Sequence, residues 1–281
     1  MAIVILAVVG LCLGSFVNAL VWRLHEQELE NSKKKISSKR LAELSIVKGH
    51  SMCPHCKHKL AAIDLIPLFS WLSVKGKCRY CGEPISSQYP LVELITALLF
   101  IASYIWWPFH IYGSQLVLFI FWLLLLVGLL ALILYDLRWF LLPNRIIYPL
   151  GCLALIYAIT NVISANRPLA ALLNTVIAVA IGGGIFYALF QLSNGRWIGG
   201  GDVRLGWLLG LIAGTPGRSI LFIFLASILG TIVSLPLLSA HRLKRSSVIP
   251  FGPFLIAGAI ITQLFGTNII HWYTTAFLNI H

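Results

Sequence analysis

Residues 114–136 read SQLVLFIFWLLLLVGLLALILYD. An uncharged run long enough for about six helical turns ends on a single aspartate. At 1.5 Å of rise per residue such a run crosses a hydrocarbon core of about 30 Å. Working outward, comparable apolar stretches occupy 2–22, 91–109, 146–163, 169–192, 219–240 and 250–270. An eighth, 203–213, is short and follows three glycines, so neighbouring helices must shield it. The fold class expected is an all-α polytopic membrane protein with about eight transmembrane helices. The composition agrees: the chain is 59% hydrophobic and 11% charged, against about 25% charged for soluble domains.

The charge is unevenly placed. Twelve of the 21 Lys and Arg lie between Arg23 and Arg79. The interleaving of basic and aromatic residues that marks a nucleic-acid surface is missing there, so nucleic acid is excluded as a partner. Basic loops instead sit on the cytoplasmic side of a bilayer. With the N-terminus outside, the inside segments are 23–90, 136–145, 193–204 and 241–249, and they hold 19 of the 21 basic residues. Only Arg167 and Arg218 fall outside. Residues 1–24 lack the basic start and the small-residue cleavage site of a signal peptide, and read as a retained span. The expected organisation is a first transmembrane helix over 1–24, a cytoplasmic loop over 25–90 and a transmembrane core over 91–281. Within the loop, 27–50 reads as a solvated helix or linker.

Cys53-Pro-His-Cys56 and Cys78-Arg-Tyr-Cys81 are two CxxC pairs between the first and second spans. Two such pairs make a tetrahedral thiolate site, most often for zinc. Lys57, Lys59, Lys75, Lys77 and Arg79 surround them and favour thiolates. Four sulfurs leave the metal no open position, so the role expected is structural. His50, His55 and His58 read as solvated surface. Cys12 and Cys152, inside apolar spans, read as packing residues.

Beyond Glu93 only two acidic residues occur, Asp136 and Asp202. A carboxylate at a bilayer is costly and marks a functional site by default. Asp136 closes one span; Pro143 stops that helix and Asn144 is placed to cap the next. Asp202 opens another span after Gly199, Gly200 and Gly201. Two facing carboxylates can share a proton and hydrolyse a peptide bond, one activating water and the other protonating the carbonyl. The plainer reading makes them interfacial caps, Asp202 at a helix N-terminus and Asp136 paired with Arg138 or Arg145. By helix polarity, Asp202 is the ionised member and Asp136, at a helix C-terminus, holds the proton. Pro250 and Gly252 in IPFGPF break a helix at the inner interface, and with the three glycines are expected to wall the active site. Gly14 and Asn18 share a packing face on the first span, and Glu93 favours a helix N-terminus.

The stretches GLCLGSFVNALVWRL, CPHC…CRYC with DLIPLFSWLSVKGKC and YPLVE, YDLRWFLLPN, WIGGGDVRL and VIPFGPFL follow one another through nearly the whole chain. In this order they resemble bacterial type IV prepilin peptidases, the prepilin leader peptidase/N-methyltransferases, whose GxGD element classes them as intramembrane aspartic proteases. The resemblance implies a peptidase of the inner membrane. Its substrates would be type IV prepilins or the pseudopilins of type II secretion, cut after a glycine at the cytoplasmic face. Asp136 and Asp202 would be catalytic, and Cys53, Cys56, Cys78 and Cys81 would hold zinc. S-adenosylmethionine would serve as methyl donor for the new N-terminus, through residues the sequence does not mark. Two rivals from other classes are a proton-coupled carrier with a carboxylate relay and a non-catalytic assembly protein that docks through its zinc module. The carrier requires acidic residues deeper in the spans, where there are almost none. The sequence sets neither the oligomeric state nor the particular pilin.

Overall fold

A computed structural model describes residues 1–32, 42–46, 49–239 and 249–277. Much of the 27–50 linker and nearly all of the 241–249 loop lie outside the described residues. The helices are α1 (Ala2–Ser32), α2 (Phe69–Ser73), α3 (Gln88–Ile105), α4 (Ser114–Trp139), α5 (Asn144–Ile163), α6 (Pro168–Ser193), α7 (Gly200–Ala213), α8 (Pro216–Ser239) and α9 (Gly252–Phe277). Among the described residues there are no strands, only two isolated bridges, Met52 with Lys59 and Lys77 with Pro84. Seven helices among the described residues are long and apolar enough to cross a membrane. The short eighth stretch forms α7, whose 14 residues reach only about 21 Å, too little to cross alone.

The chain divides into two units, Met1–Ile105 and Trp106–His281. In the first, α1 continues as one helix to Ser32, well past the apolar part of its sequence. It packs on α3 by backbone approach: a Cβ on Gly10 would stand 2.6 Å from the Ala97 Cα, and one on Gly14 2.6 Å from the Glu93 Cα. Lipid supplies no hydrophobic drive between helices, so small residues that admit close dispersion contact hold such pairs together. Asn18 adds hydrogen bonds from Nδ2 to the Gly14 and Tyr89 carbonyls. Arg23 ties the returning chain to α1 by donating to the Ser45, Ile46 and Gly49 carbonyls.

Glu93 does not sit in the first turn of α3. It is buried, and its Oε2 accepts the Leu68 N–H at 2.8 Å. Leu68 has φ 61° where α2 begins, so the carboxylate holds the strained start of α2 rather than the start of its own helix. Cys12 and Cys152 lie on exposed helix faces, not in packed interiors, because the apolar residues of a membrane helix also serve the lipid-facing side.

In the second unit α4 carries the core, with Trp122, Leu125, Leu126, Leu129, Leu132 and Tyr135 fully buried. Alongside, α6 and α7 meet backbone to backbone. A Cβ on Gly210 would lie 2.7 Å from the Val179 Cα, and one on Gly206 would overlap the Gly182 carbonyl oxygen. The close seat explains how a helix too short to span is held in place: its neighbours, not the bilayer, surround it.

Candidate active site

Asp136 lies in the last turn of α4 and is buried. The helix ends where Phe140 turns left-handed, φ 56°, and its N–H donates to the Asp136 carbonyl at 2.9 Å. Pro143, with φ −70°, flanks the start of α5. Asn144, expected as the cap, is instead the first helical residue. Its Oδ1 accepts a hydrogen bond from Arg204 Nη1 of α7, which pins the loop after Asp136 to the helix that carries Asp202.

Asp202 is the third residue of α7, and Gly199 flanks its start. The carboxylate reaches back to accept the Gly199 backbone N–H. This is half of a capping box: the flanking glycine has no side chain to give, so the acid at the third position supplies the acceptor. Gly200 and Gly201 form the first turn. A Cβ on Gly201 would lie 3.1 Å from the Leu142 side chain, so the loop after α4 rests directly on this turn.

The third element is α9. Residues 249–251 are not helical, and the helix begins at Gly252. Its backbone N–H donates to the Asp136 carboxylate. A Cβ on Gly252 would stand 2.5 Å from Asp136 Oδ2 and 3.6 Å from Leu142 Cδ1. Leu142 therefore contacts both glycine-headed helices, and the two carboxylates are close enough for the charge on Asp202 to act on Asp136. The structure thus gathers Asp136, Asp202, Gly199, Gly200, Gly201 and Gly252 at the converging ends of α4, α7 and α9. Pro250 is half-buried two residues before Gly252.

The helix-polarity contrast between the aspartates does not survive this geometry. Asp136 closes its own helix, but the N-terminus of α9 faces it. Both carboxylates thus accept a backbone N–H at the positive end of a helix dipole. Three features escaped the sequence: the Gly252 N–H, the Arg204–Asn144 tie and the Leu142 wedge. A backbone donor carries no side-chain signal, and Leu142 is one leucine in an apolar run.

In Met1–Ile105 the four cysteines cluster, their Sγ atoms all within 4.8 Å of one another. The Cys53 and Cys81 sulfurs are 3.9 Å apart. A tetrahedron with metal–sulfur bonds of about 2.3 Å has edges of about 3.8 Å, close to the Cys53–Cys81 separation, so the cluster can close on a metal ion with small side-chain shifts. Each pair forms a tight knuckle: Cys53 N–H donates to His58 O and Lys57 N–H to Cys53 O, while Cys78 N–H donates to Glu83 O and Gly82 N–H to Cys78 O. Left-handed Lys57 and Gly82 close the two turns. Burial works against charge on Cys78, but hydrogen bonds from the Tyr80 and Cys81 N–H groups and from the Cys81 and Cys53 thiols outweigh it and bring it down to about 7. At Cys81 the Glu83 N–H favours charge, yet burial and the same thiol contacts push it up to about 12. His58 stacks on Tyr80 with ring centres 3.7 Å apart, and Tyr80 and Arg79 both donate to Asp64 at 2.9 Å.

Comparison with known proteins agrees with both halves. Residues 8–107 match the family described as Bacterial Peptidase A24 N-terminal domain. Residues 123–235, which include both aspartates, match the Type IV leader peptidase family. The chain is 31% identical to a prepilin leader peptidase/N-methyltransferase of Aeromonas hydrophila, over 96% of this chain and 92% of the relative. It is 31% identical to one from Bacillus subtilis, over 96% of each. To one from Pseudomonas aeruginosa it is 33% identical, over 94% of this chain and 90% of the relative. No solved structure matches the chain. With motifs, domain order and near full-length identity in agreement, the chain belongs to the type IV leader peptidase family.

Proposed function

We propose that the protein is a membrane-embedded aspartic endopeptidase that removes the leader of type IV prepilins, and of pseudopilins, and then methylates the new N-terminus. The observation that carries the peptidase is the meeting of Asp136 and Asp202 at three helix ends, each carboxylate oriented by a glycine N–H. Glycines at these positions leave room for a substrate backbone beside the carboxylates.

In the reaction, one aspartate takes a proton from water while the water oxygen bonds to the scissile carbonyl carbon. The other gives its proton to the carbonyl oxygen. The resulting diol collapses, the C–N bond breaks, and the leaving amine collects a proton from the pair. Because both acids face helix N-termini, the shared proton is assigned to the pair and not to one member.

The protein sits in the inner membrane with its N-terminus outside and the aspartates near the cytoplasmic face, as the distribution of basic residues favours. A pilin precursor carries a basic leader before a long apolar helix. That helix lies among the spans and brings the leader junction to the interface. The metal is zinc, held by Cys53, Cys56, Cys78 and Cys81, and it stabilises the fold of the module. S-adenosylmethionine supplies the methyl group. The described residues contain no strand-to-helix glycine turn of the dinucleotide-binding kind, and no residue is assigned to that donor.

The test is incubation of the purified protein, in liposomes with S-adenosylmethionine, with a pilin precursor, followed by mass analysis of the product N-terminus. Cleavage at the leader junction with one methyl group added is expected. An intact precursor, or cleavage elsewhere, refutes the assignment.

A further inference from the structure

The loop between the two CxxC pairs carries an apolar surface that its own module leaves bare. Ile63, Leu65, Ile66, Phe69 and Leu72 are all exposed, Phe69 at 68% and Leu72 at 62%. Phe69 and Leu72 are three residues apart on α2 and share one face. Another side of α2 belongs to the module: the Trp71 indole donates to the Ile85 carbonyl at 3.1 Å, and a Cβ on Gly76 would meet the Trp71 ring. An apolar surface of this kind marks an interaction site, and the depth at which it is held identifies the partner.

The depth follows from Glu93. The 18 residues of α3 reach about 27 Å, less than the roughly 30 Å of a hydrocarbon core, so the whole helix lies within that core. Glu93 comes five residues after Gln88 and is then about 7.5 Å below the edge. A second measure comes from α1, which runs antiparallel to α3 with Gly10 against Ala97 and Gly14 against Glu93. With the apolar residues 2–22 of α1 filling the core, Gly14 stands about 12 Å below the level of Trp22. The Glu93 side chain tilts back toward its helix start, and its Oε2 takes the Leu68 N–H at 2.8 Å. One side chain and one hydrogen bond climb no farther than the edge. Leu68, and α2 with it, is therefore held at the boundary between headgroups and acyl chains.

Backbone and charge both suit that level. The N–H groups of Leu68, Phe69, Ser70 and Leu72 are paired, with Glu93 and with the carbonyls of Pro67, Ile66 and Leu68, and Pro67 has no N–H to pair. Unpaired backbone groups are what a segment short of water must avoid. Lys75 and Lys77 follow α2 directly and are exposed, whereas Arg79 is taken by Asp64. Lysines beside an apolar face fit a leaflet with anionic headgroups. We propose that α2 and the residues before it dip into the leaflet on the module's side, with Ile66, Phe69 and Leu72 among the upper acyl chains and Lys75 and Lys77 at anionic headgroups. The cysteine module thus rides on the membrane surface instead of hanging in water. The inference rests on α1 and α3 spanning the bilayer and is independent of the peptidase reading.

Photo-crosslinking of the full-length protein in nanodiscs of equal phosphatidylglycerol and phosphatidylcholine, read by mass spectrometry, tests this. Benzoylphenylalanine replaces Phe69, Leu72, Leu98 or His55, one at a time. Leu98, exposed in the middle of α3, calibrates lipid contact, and His55, exposed on the first cysteine knuckle, calibrates water. Lipid adducts at 69 and 72 are expected within about twofold of the yield at 98 and at least about tenfold above that at 55. Adducts at 72 should favour phosphatidylglycerol about fivefold, as one lysine near an anionic surface implies, and lose the preference when Lys75→Gln and Lys77→Gln are combined. Adducts at 98 with none above the His55 level at 69 and 72 overturn the dip and leave the spans standing. No adduct at 98 overturns the spans and the inference with them. Equal adducts of the two lipids at 72 overturn the role of the lysines. Crosslinks from 69 and 72 to a second copy of the chain, or to added pilin precursor, in place of lipid overturn the leaflet as the partner.

Discussion

Gly252→Ala is the most informative single change. Gly252 has no left-handed φ, so alanine fits its backbone and even favours a helix start. The new Cβ would stand 2.5 Å from Asp136 Oδ2, where ordinary contact begins at 3.4 Å. The next neighbours, Asp136 Cγ at 3.4 Å and Leu142 Cδ1 at 3.6 Å, need not move. The whole strain therefore falls on the tip of one carboxylate, which must retreat by about 0.9 Å and lose its alignment with the Gly252 N–H. A misplacement near 1 Å costs up to about 100-fold in rate. The expected fall in kcat is about 30- to 100-fold, or about 2–2.7 kcal/mol of barrier, with KM little changed. Because a flexible side-chain end yields cheaply, the thermal midpoint should stay within about 3 °C. The assay is leader cleavage under saturating precursor, with Gly151→Ala as control, since nothing lies within 4 Å of a Cβ there. Unchanged kcat in Gly252→Ala would refute the placement of α9 on Asp136. A loss of folding equal to the loss of rate would refute the claim that the strain is confined to the site.

Three other outcomes are expected. Gly206→Val places atoms on the Gly182 carbonyl, where backbone cannot give way, and should destabilise by about 3 kcal/mol or more, seen as a lower thermal midpoint in detergent. Cys78→Ser should reduce bound zinc from one per chain to near none by elemental analysis, while chelation of the unmodified protein should leave leader cleavage intact as long as the module stays folded. The Asp64 carboxyl titrates below its ordinary value: burial pushes it up, but hydrogen bonds from Tyr80, the Ala61 N–H and Arg79 outweigh that. Its contribution to the module is therefore fully present above about pH 4 and is lost as pH falls through the lowered folded value. An acid transition in near-ultraviolet circular dichroism should shift or vanish in Asp64→Asn, and an unaltered transition would count against the assignment.

The membrane class was legible because hydrocarbon thickness imposes a length on every span, and 114–135 meets it without a charge. The cysteine cluster was legible because paired CxxC spacing encodes its own geometry. The two aspartates stood out by isolation, the only acids in a long acid-poor region. What surrounds them did not. The Gly252 N–H meets Asp136 across more than 100 residues of sequence, and no residue type announces a backbone donor. The polarity of α4 alone suggested an unfavourable dipole at Asp136, and the opposing α9 N-terminus was invisible until the helices were placed. Asn144 looked like a cap because its residue type favours that role, yet the tertiary partner Arg204 claimed its side chain. Glu93 read as a helix-start residue for the same local reason, and serves instead a turn in the cysteine-bearing loop.

The most direct test of the two-aspartate site is the rate of leader cleavage by Asp136→Asn and Asp202→Asn in liposomes, each verified as folded. Asparagine keeps the shape and the hydrogen bond from the glycine N–H but cannot carry the proton. Each substitution should lower kcat by about 100- to 10,000-fold, as loss of a general acid or base does. Full-rate cleavage by either variant would contradict the assignment.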